Sequence, residues 1–405
     1  MGLVLSEYEH SILEGKKGEA ARLAMEVIVA LGNAFGAREL VKVASVQAMA
    51  HYGSLHDAGV DWLERLASLG GRCCVPCTQD PSSIPFHCWS DLGIPPEYAD
   101  KQMRLAKAVV ALGEIPSWTC TPYYVGNVPR FGQNVAWAES SAVSFANSVL
   151  GARTERVPAG LAVCAALTGR IPRTGLYLDE NRAGSILVKV EAGPLSGIDY
   201  PALGYILGTK AGTRIPVLDG ISADVTNDDL KNLGAAAATS GSVALYHVPG
   251  VTPEALTGDP FHGGRPSVEL SVTRRDIEAT KQTLTTGCLS DVDLVVLGCP
   301  HYSIWELQRT ALLLAGRKVR LGRRIWIHTS AEAEQVAARM GLLEILREAG
   351  ATVLAQNCLV ISPLCIKGVR TIATDSGKAA GYLPCEHRVR LVFTSTEECI
   401  ASVTE

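Results

Sequence analysis

Charged residues are scarce in this 405-residue sequence, at 19% of the total, whereas hydrophobic residues make up 47%. That balance argues against an intrinsically disordered chain, which combines low hydrophobicity with high charge. The net charge of −4 at pH 7 argues against the basic stripe that nucleic-acid-binding proteins use. No uninterrupted apolar run reaches about 18 residues, so a transmembrane helix is not expected. The length is sufficient for two or three packed units.

The N-terminal segment lacks the basic start, apolar core and small-residue cleavage site of a secretory signal. "MGLVLS" fits a loose myristoylation pattern, but no polybasic patch follows it, so a lipid anchor is not predicted. We therefore expect a cytoplasmic protein. In that compartment the twelve cysteines are not expected to form a disulfide framework. Most, such as Cys164, are predicted to be small buried hydrophobic residues, which leaves a few as candidate metal ligands.

The first part of the chain is predicted to be mainly helical over residues 6–70 and then rich in loops. A helix is expected near 98–113, and a short strand over 116–119 precedes Cys120. The segment "AESSAVSFANSVLGA" predicts a helix that starts at Ser140 and Ser141. Residues 156–286 alternate short strands with short helices and are assigned to α/β structure.

From residue 287 the sequence alternates apolar strands, expected at 293–297, 324–327, 351–355 and 371–374, with helices. Ser303 with Glu306, and Thr329 with Glu332, have the spacing of capping boxes that open two of these helices. The pattern predicts a parallel sheet with helical crossovers. The fold class is therefore α/β, with parallel-sheet (doubly wound) units. We divide the chain into three domains, 1–155, 156–286 and 287–405.

Reactive side chains follow these predicted strands. Because the carboxyl ends of parallel strands meet at one edge of a sheet, and ligands bind there, these residues are expected to gather. The thiol of Cys299 also lies a few residues before a helix start, whose dipole favours a thiolate. A pair of thiolates at this edge predicts a metal or cluster site. The residues expected at the edge include Cys299, His301, His328, Cys358 and Lys378.

A 37-residue block, "CTPYYVGNVPRFGQNVAWAESSAVSFANSVLGARTER" (120–156), occurs together with "LGCPHYSIWEL", "NCLVISP" and "DSGK". These segments resemble the aconitase X family, and the resemblance extends over essentially the whole chain. "GCPHYSIWEL" is also similar to the Gly-Ser-Cys-Thr-Asn segment that supplies a cluster ligand in ordinary aconitases. The resemblance implies an aconitase-like multi-domain architecture and a hydro-lyase that uses an iron–sulfur cluster.

The resemblance implies that three cysteines hold the cluster and leave one iron open as a Lewis acid, and we expect a cluster of the [4Fe-4S] type. The resemblance implies that Cys299 and Cys358 are two of the ligands, and Cys120 is preferred as the third. Cys77, in the loop "CCVPCTQDP", is the alternative third ligand, although the family usually has Pro-Thr-Thr there. Cys74 and Cys77 form a literal CxxC pair. A single iron or zinc held by three cysteines is a further alternative.

The remaining candidate site residues each have a structural alternative. Lys378 lies in a glycine turn that could bind a carboxylate or phosphate, or could simply be solvated. The hydroxyl groups of Ser140 and Ser141 could cap their helix or bind a substrate anion. His301 could orient substrate or cluster, or could be a packed, hydrogen-bonded histidine. Asn147, one to two turns after these serines, could reach the same substrate or could only cap helix contacts. Thr78 and Arg153 are carried over from matching family blocks as substrate-binding residues.

The two-subunit archaeal members of the family imply dehydration of 5-phosphomevalonate to trans-anhydromevalonate 5-phosphate in the modified mevalonate pathway. The long members imply cis-3-hydroxy-L-proline dehydration as the alternative. The chain shows no C-terminal swivelling module, so a separate small subunit with a serine base is expected as partner. A non-catalytic iron–sulfur or RNA-binding relative is the rival from another class, which the acidic balance disfavours.

Overall fold

The computed structural model describes residues 2–363, 366 and 368–405, and these form two compact units. The first unit contains residues 1–183 with 361–363, and the second contains 184–360 with 364–405. The predicted division at 155 and 286 stays a prediction, and the segment 156–183 lies in the first unit. Cys365, a cysteine to which we assign no ligand role, lies outside the described residues. Among the described residues, no helix is long and apolar enough to span a lipid bilayer.

The first unit contains six helices among its described residues, α1 (Glu7–Leu13), α2 (Glu19–Ala34), α3 (Tyr52–Ser68), α4 (Pro96–Ala111), α5 (Ser140–Ser148) and α6 (Ala159–Thr168). Its strands are β1 (Leu40–Lys42), β2 (Val46–Ala48), β3 (Cys77–Gln79), β4 (Ala136–Trp137) and β5 (Arg170–Pro172). A three-stranded parallel sheet has the order β3-β2-β4, and β1 pairs with β5 in antiparallel orientation. The prediction of helix throughout 6–70 missed β1 and β2, because three-residue strands are too short to show a period of two.

The core of the first unit is built around α6, whose eight residues from Leu161 to Thr168 are all buried. Its sequence is apolar on every side, which is typical of a helix enclosed by other elements. Cys164 is fully buried in this helix, which confirms its prediction as a small core residue. The predicted strand at 116–119 is wrong: these residues form no strand, and a single parallel bridge joins the preceding residue, Ile115, to Thr78.

The second unit contains, among its described residues, helices α7 (Asp199–Ala211), α8 (Asn227–Gly241), α9 (Arg274–Leu284), α10 (Ile304–Leu314), α11 (Ala331–Arg339), α12 (Leu342–Ala349), α13 (Gly377–His387) and α14 (Thr396–Ala401). Its strands are β6 (Ile186–Glu191), β7 (Pro216–Asp219), β8 (Val268–Thr273), β9 (Leu294–Tyr302), β10 (Arg324–Thr329), β11 (Thr352–Ala355), β12 (Thr371–Thr374) and β13 (Arg390–Phe393). They form a three-stranded sheet, β7-β6-β8, and a five-stranded sheet, β11-β10-β9-β12-β13.

Every strand pair in these two sheets is parallel, which confirms the predicted α/β class with parallel-sheet units. The Ser303–Glu306 capping box is present at the start of α10. The Thr329–Glu332 box is wrong, because the side chain of Ser330 caps α11 by accepting from the backbone N–H of Ala333. Gly341, which has a left-handed conformation, separates α11 from α12.

Candidate active site

A β-bulge interrupts β9 at the carboxyl edge of the five-stranded sheet. The register with β10 shifts there, so that residues 298–301 oppose His328 alone. Gly298 opens the bulge at a φ of +88°, and a Cβ atom at this position would lie 2.0 Å from the carbonyl oxygen of His328. Only glycine fits such a position. Cys299 lies within the bulge and is partly exposed, whereas both of its neighbours in the chain are buried.

The position of Cys299 differs in one respect from the prediction. The strand was expected to end at 297, with Cys299 in a loop next to a helix start. Strand β9 instead continues to Tyr302, and α10 begins at Ile304. Cys299 is therefore presented by a bulge inside the strand. The position of this thiol is set by the bulge and not by the dipole of α10, whose effect is confined to the first turn of that helix.

Two histidines from adjacent strands share one acceptor at this edge. The Nε2 atom of His301 lies 2.9 Å from the backbone carbonyl oxygen of Asn357, and the Nδ1 atom of His328 lies 3.0 Å from the same oxygen. A carbonyl oxygen can only accept, so both ring nitrogens donate and both tautomers are determined. The residue that follows Asn357 is Cys358, so the two rings hold the backbone that presents the second thiol.

His328 is the residue of this group to which the sequence analysis gave no role. Its ring is buried, and burial lowers its pKa from 6.5 to about 4. With Nδ1 donating, Nε2 carries a lone pair, and this buried atom has no hydrogen-bond partner among the described residues. The signal in the sequence was a histidine at the end of the apolar strand "RIWIH". His328 is therefore a neutral imidazole that can accept a hydrogen bond.

Ser376 links the start of α13 to Cys299. Its Oγ atom accepts a hydrogen bond from the backbone N–H of Ala379 at 3.0 Å, which caps the helix, and donates to the carbonyl oxygen of Cys299. Lys378 lies in the first turn of α13 and is partly buried. A cation is unfavourable at the positive end of a helix dipole unless an anion is close to it. This position fits the prediction that Lys378 contributes to an anion-binding site.

A buried lysine supports the chain immediately after the bulge. The Nζ atom of Lys231 lies 3.1 Å from a carboxylate oxygen of Asp228 and also pairs with Glu306. The same ammonium group lies 3.4 Å from the carbonyl oxygen of His301. A buried charge requires such partners, because its desolvation is costly. The network therefore fixes the backbone of the bulge relative to α8 and α10.

Two of the predicted site residues of the first unit, Thr78 and Cys120, lie on or beside strand β3 of its parallel sheet. Thr78 is buried within β3, and its Oγ1 atom accepts a hydrogen bond from Asn127 at 2.9 Å. Cys120 is buried and follows Thr119, whose N–H donates to the carbonyl oxygen of Gln79 at 3.0 Å. The segment that carries Cys120 is thus attached to the last residue of β3.

The predicted helix caps at Ser140 and Ser141 are wrong. Glu139 is the N-cap of α5, and its carboxylate accepts from the backbone N–H of Ala142 at 2.8 Å. The hydroxyl groups of both serines donate to the same carboxylate, that of Ser140 at 3.3 Å. The sequence analysis missed Glu139, because serine before a helix is the commoner signal. The two serine hydroxyls remain at a helix N-terminus at the carboxyl end of β4, where their predicted substrate role stays a prediction.

The structure does not place Asn147 and Arg153 beside these serines. The Asn147 side chain lies at the other end of α5, where it donates to the carbonyl oxygen of Thr154 at 2.9 Å and accepts from the N–H of Thr154 at 3.1 Å. Arg153 pairs with Asp179, and its backbone bridges to Asn134, before β4 begins. Of the two alternatives for Asn147, these contacts show the structural one, and binding of substrate by either residue stays a prediction.

Cys77, the alternative third cluster ligand, is the first residue of β3 and is 1% exposed. It therefore lies at the amino end of the strand, whereas Cys120 lies beside the carboxyl end. Ligands of parallel sheets bind at the carboxyl end. This placement favours Cys120 over Cys77 as the residue of the first unit that faces a substrate.

The second unit offers donors of the correct chemistry for an iron–sulfur cluster. Such clusters are held by cysteine thiolates, and Cys299 and Cys358 are partly exposed thiols that follow the same sheet edge. Buried side chains hold the backbone at both positions. Ser376 donates a hydrogen bond to the carbonyl oxygen of Cys299, and the two histidines donate to that of Asn357. These two donors therefore fit an iron–sulfur cluster.

Three family models match consecutive parts of the chain. They are described as the aconitase X first domain, over residues 2–180, second domain, over 184–282, and third domain, over 292–405. The chain belongs to the aconitase X family. The resemblance that the motifs indicated is thereby confirmed over nearly the whole sequence.

Several curated relatives of this aconitase X chain are named as dehydratases. The phosphomevalonate dehydratase large subunit of Methanothermobacter thermautotrophicus is 41% identical over 94% of each chain, and that of Methanocaldococcus jannaschii is 36% identical over 98% and 99%. The cis-3-hydroxy-L-proline dehydratase of Hypocrea jecorina is 36% identical over 99% of this chain and 68% of its own length. The chain is accordingly a hydro-lyase, a dehydratase of the aconitase superfamily.

A solved structure confirms the architecture. The crystal structure of Thermococcus kodakaraensis aconitase X in its holo form matches with a TM-score of 0.90 and 35% identity. The match covers 99% of this chain and 100% of the other. The predicted aconitase-like multi-domain α/β fold is therefore correct.

Proposed function

We propose that this aconitase X chain is the large, cluster-binding subunit of an enzyme that dehydrates (R)-5-phosphomevalonate to trans-anhydromevalonate 5-phosphate in the modified mevalonate pathway. The observation that carries the proposal is the 41% identity to a phosphomevalonate dehydratase large subunit over 94% of both chains. Further large subunits, from three other archaea, match at 36–38%.

Cys299 and Cys358 are the residues of the second unit that would hold the iron–sulfur cluster. The cluster, when bound, supplies a Lewis acid that makes hydroxide a better leaving group. Cys120 belongs to the first unit and remains the predicted third ligand. Ser376 and Asn357 have the supporting role, since they hold the backbone on which the two thiols are presented.

The chain's own polar groups define how an anionic substrate could be held. Lys378, the backbone N–H groups at the start of α13 and the cap residue Ser376 form a site of the kind that binds phosphate or carboxylate. His328 offers a neutral Nε2 atom that can accept a hydrogen bond from a hydroxyl group. Because its pKa is about 4, His328 is a weak base, so we assign proton removal to another group.

The proton acceptor is proposed to be a serine of a separate small subunit that supplies the swivelling domain. The relatives named as large subunits support this partner, because a large subunit implies a second chain. The substrate in this proposal is a small phosphorylated hydroxy acid. Neither a nucleic acid nor a membrane is required, and the proposed location is the cytoplasm.

The second candidate is dehydration of cis-3-hydroxy-L-proline. Two dehydratases of that substrate, from Hypocrea jecorina and Pseudomonas aeruginosa, match the chain at 36% and 37% identity. This substrate has a secondary amine and no phosphate, so it gains less from a cation at a helix N-terminus. The position of Lys378 at the start of α13 therefore favours the phosphorylated substrate.

A paired assay tests the choice of substrate. The chain is reconstituted with its small subunit, iron and sulfide under anaerobic conditions, and water loss is followed with each substrate separately. Turnover of 5-phosphomevalonate with no turnover of hydroxyproline is the expected result. Turnover of hydroxyproline alone would retain the reaction class and overturn the proposed substrate.

A further inference from the structure

Three potential metal ligands, one of them Cys77, lie together in the first unit. The sulfur atoms of Cys73 and Cys77 and a carboxylate oxygen of Glu114 are all within 4.8 Å of one another. Cys77 and Glu114 are 1% and 3% exposed, whereas Cys73 is partly exposed. Cys77 begins β3, and Glu114 precedes the residue that bridges to β3. The three ligands therefore lie at the amino end of this sheet, opposite to Cys120.

One carboxylate oxygen of Glu114 accepts a hydrogen bond that orients the group, and the other oxygen is available to a metal ion. Gln79 accepts a hydrogen bond from the backbone N–H of Ala50 through Oε1 at 3.2 Å, so its Nε2 atom is the group that donates to Oε2 of Glu114. The buried Oε1 atom of Glu114 has no hydrogen-bond partner among the described residues. An amide that orients a carboxylate in this way is typical of the groups that surround a metal ligand.

We propose that Cys73, Cys77 and Glu114 form a structural site for a thiophilic divalent cation such as Zn²⁺, distinct from the dehydratase centre. Two thiolates and one carboxylate are ligands that Zn²⁺ accepts, with Zn–S and Zn–O distances of about 2.3 Å and about 2.1 Å. The cation replaces the two thiol protons, and the carboxyl proton when present, and these protons leave to solvent. Binding also compensates the buried carboxylate for its lost hydration.

The observed spacing requires only a small contraction. In a tetrahedral Zn²⁺ site the sulfur atoms lie about 3.8 Å apart, so ligand atoms now within 4.8 Å need to approach by at most about 1 Å. Cys73 is partly exposed and gives a water molecule access to the fourth position. The site is away from the carboxyl ends of the strands, where substrate binds, so the cation is structural and not catalytic.

The geometry selects Cys73 and Cys77, four residues apart, over the CxxC pair that the sequence suggests. Cys74 is exposed, and its sulfur atom lies against Gly169, 3.3 Å from where a Cβ atom of that glycine would be. Cys74 therefore provides a matched control. It is a neighbouring cysteine of the same loop that is absent from the group of ligands.

The cation would join two segments that already lie side by side. The N–H of Cys73 donates to the carbonyl oxygen of Leu112 at 2.7 Å, and the N–H of Ile115 donates to the carbonyl oxygen of Cys77 at 2.7 Å. A cation held between them binds the folded chain and not the unfolded one. It should therefore raise the melting temperature of the chain as its concentration rises above the dissociation constant.

The test uses Co²⁺ as a spectroscopic substitute for Zn²⁺. The full chain carrying Cys120→Ser, Cys299→Ser and Cys358→Ser is titrated anaerobically, and thiolate-to-Co²⁺ charge-transfer absorption is recorded. One equivalent should bind, and Zn²⁺ should displace it. Cys77→Ser and Glu114→Gln should weaken binding at least about tenfold, and Gln79→Leu by about 10- to 100-fold, whereas Cys74→Ser should leave it unchanged.

A second measurement does not depend on the folding of any variant. The unmodified chain is alkylated with and without Zn²⁺, and each cysteine is quantified by mass spectrometry. Zn²⁺ should protect Cys73 from alkylation but not Cys74. Equal labelling of Cys73 in both samples, no stoichiometric Co²⁺ absorption, or a Cys73–Cys77 disulfide in the anaerobically purified chain would each overturn the proposal. None of these results depends on which substrate the enzyme uses.

Discussion

His301 and His328, on neighbouring parallel strands, donate hydrogen bonds to the same backbone carbonyl oxygen, that of Asn357. This relationship connects three strands of the five-stranded sheet at the place where Cys299 and Cys358 are presented. It explains why one histidine is buried within a bulge and the other at the end of an apolar strand. Both rings position the backbone of the cysteine-bearing edge.

The bulge at Gly298 depends on the absence of a side chain. Gly298→Ala would place a Cβ atom 2.0 Å from the carbonyl oxygen of His328 at a φ of +88°, so the strands must separate. We expect a loss of about 3 kcal/mol or more in the free energy of unfolding. Gly316→Ala is the control, since Gly316 has a φ of +76° and open space around it, and should cost about 1 kcal/mol. Equal losses in urea denaturation would contradict the argument.

Ser376 combines a helix cap with support for Cys299. Ser376→Ala should cost about 1 kcal/mol of stability through loss of the cap, as Thr273→Ala at the start of α9 should. Only Ser376→Ala also removes the hydrogen bond to the Cys299 carbonyl oxygen, so it alone should lower the iron content after reconstitution. The measurements are thermal melting and iron analysis of both variants. Equal iron content in the two variants would show that the contact with Cys299 has no such role.

Lys378 is expected to bind the anionic end of the substrate. Lys378→Met removes a charge-assisted contact, which is worth about 1.5–3 kcal/mol, so KM should rise about 10- to 100-fold. A smaller effect on kcat is expected, because the contact is made before the reaction. Lys210→Met removes an exposed lysine at the end of α7 and should leave KM unchanged. Steady-state kinetics of the reconstituted enzyme with both variants provides the comparison.

His51 should make the stability of the chain sensitive to acid. Its ring is buried, and burial lowers its pKa from 6.5 to about 4. The unfolded state then binds more protons between these values, so the free energy of unfolding falls as pH decreases from 6.5 towards 4. The loss should approach about 3 kcal/mol. His51→Gln should flatten this dependence in denaturation at several pH values, and His10→Gln, at an exposed site, should not.

The sequence was sufficient to predict four strands of the five-stranded sheet, because these strands are short apolar runs followed by helices, whereas β13 was not predicted. The strand predicted at 371–374 has those bounds in the structure. The bulge could not be predicted, because it depends on Gly298 lying against His328, a contact made only after the strands pair. For the same reason the lone pair on the buried Nε2 atom of His328 could not be predicted, although a histidine at the end of an apolar strand was visible in the sequence.

Errors in the first unit have similar physical causes. Strand β2 has three residues, all buried, so it shows no alternation and was included in a predicted helix. The side chain of Glu139 competes with two serines for one helix N-terminus, and a local pattern does not decide which of them caps it. The grouping of Cys73 with Cys77 arises from the path of the loop into β3, whereas the spacing in the sequence did not distinguish Cys73 from Cys74 as the partner of Cys77.

The most direct test of the account is iron binding and turnover by Cys299→Ser and Cys358→Ser in the anaerobically reconstituted two-subunit enzyme. Cys385→Ser, at an exposed cysteine of α13, is the control. We expect both edge variants to remain folded by circular dichroism, to lose most of their cluster absorption and iron, and to lose 5-phosphomevalonate dehydration, while the control retains all three. Full activity in either edge variant would contradict the assignment of these two cysteines as cluster ligands.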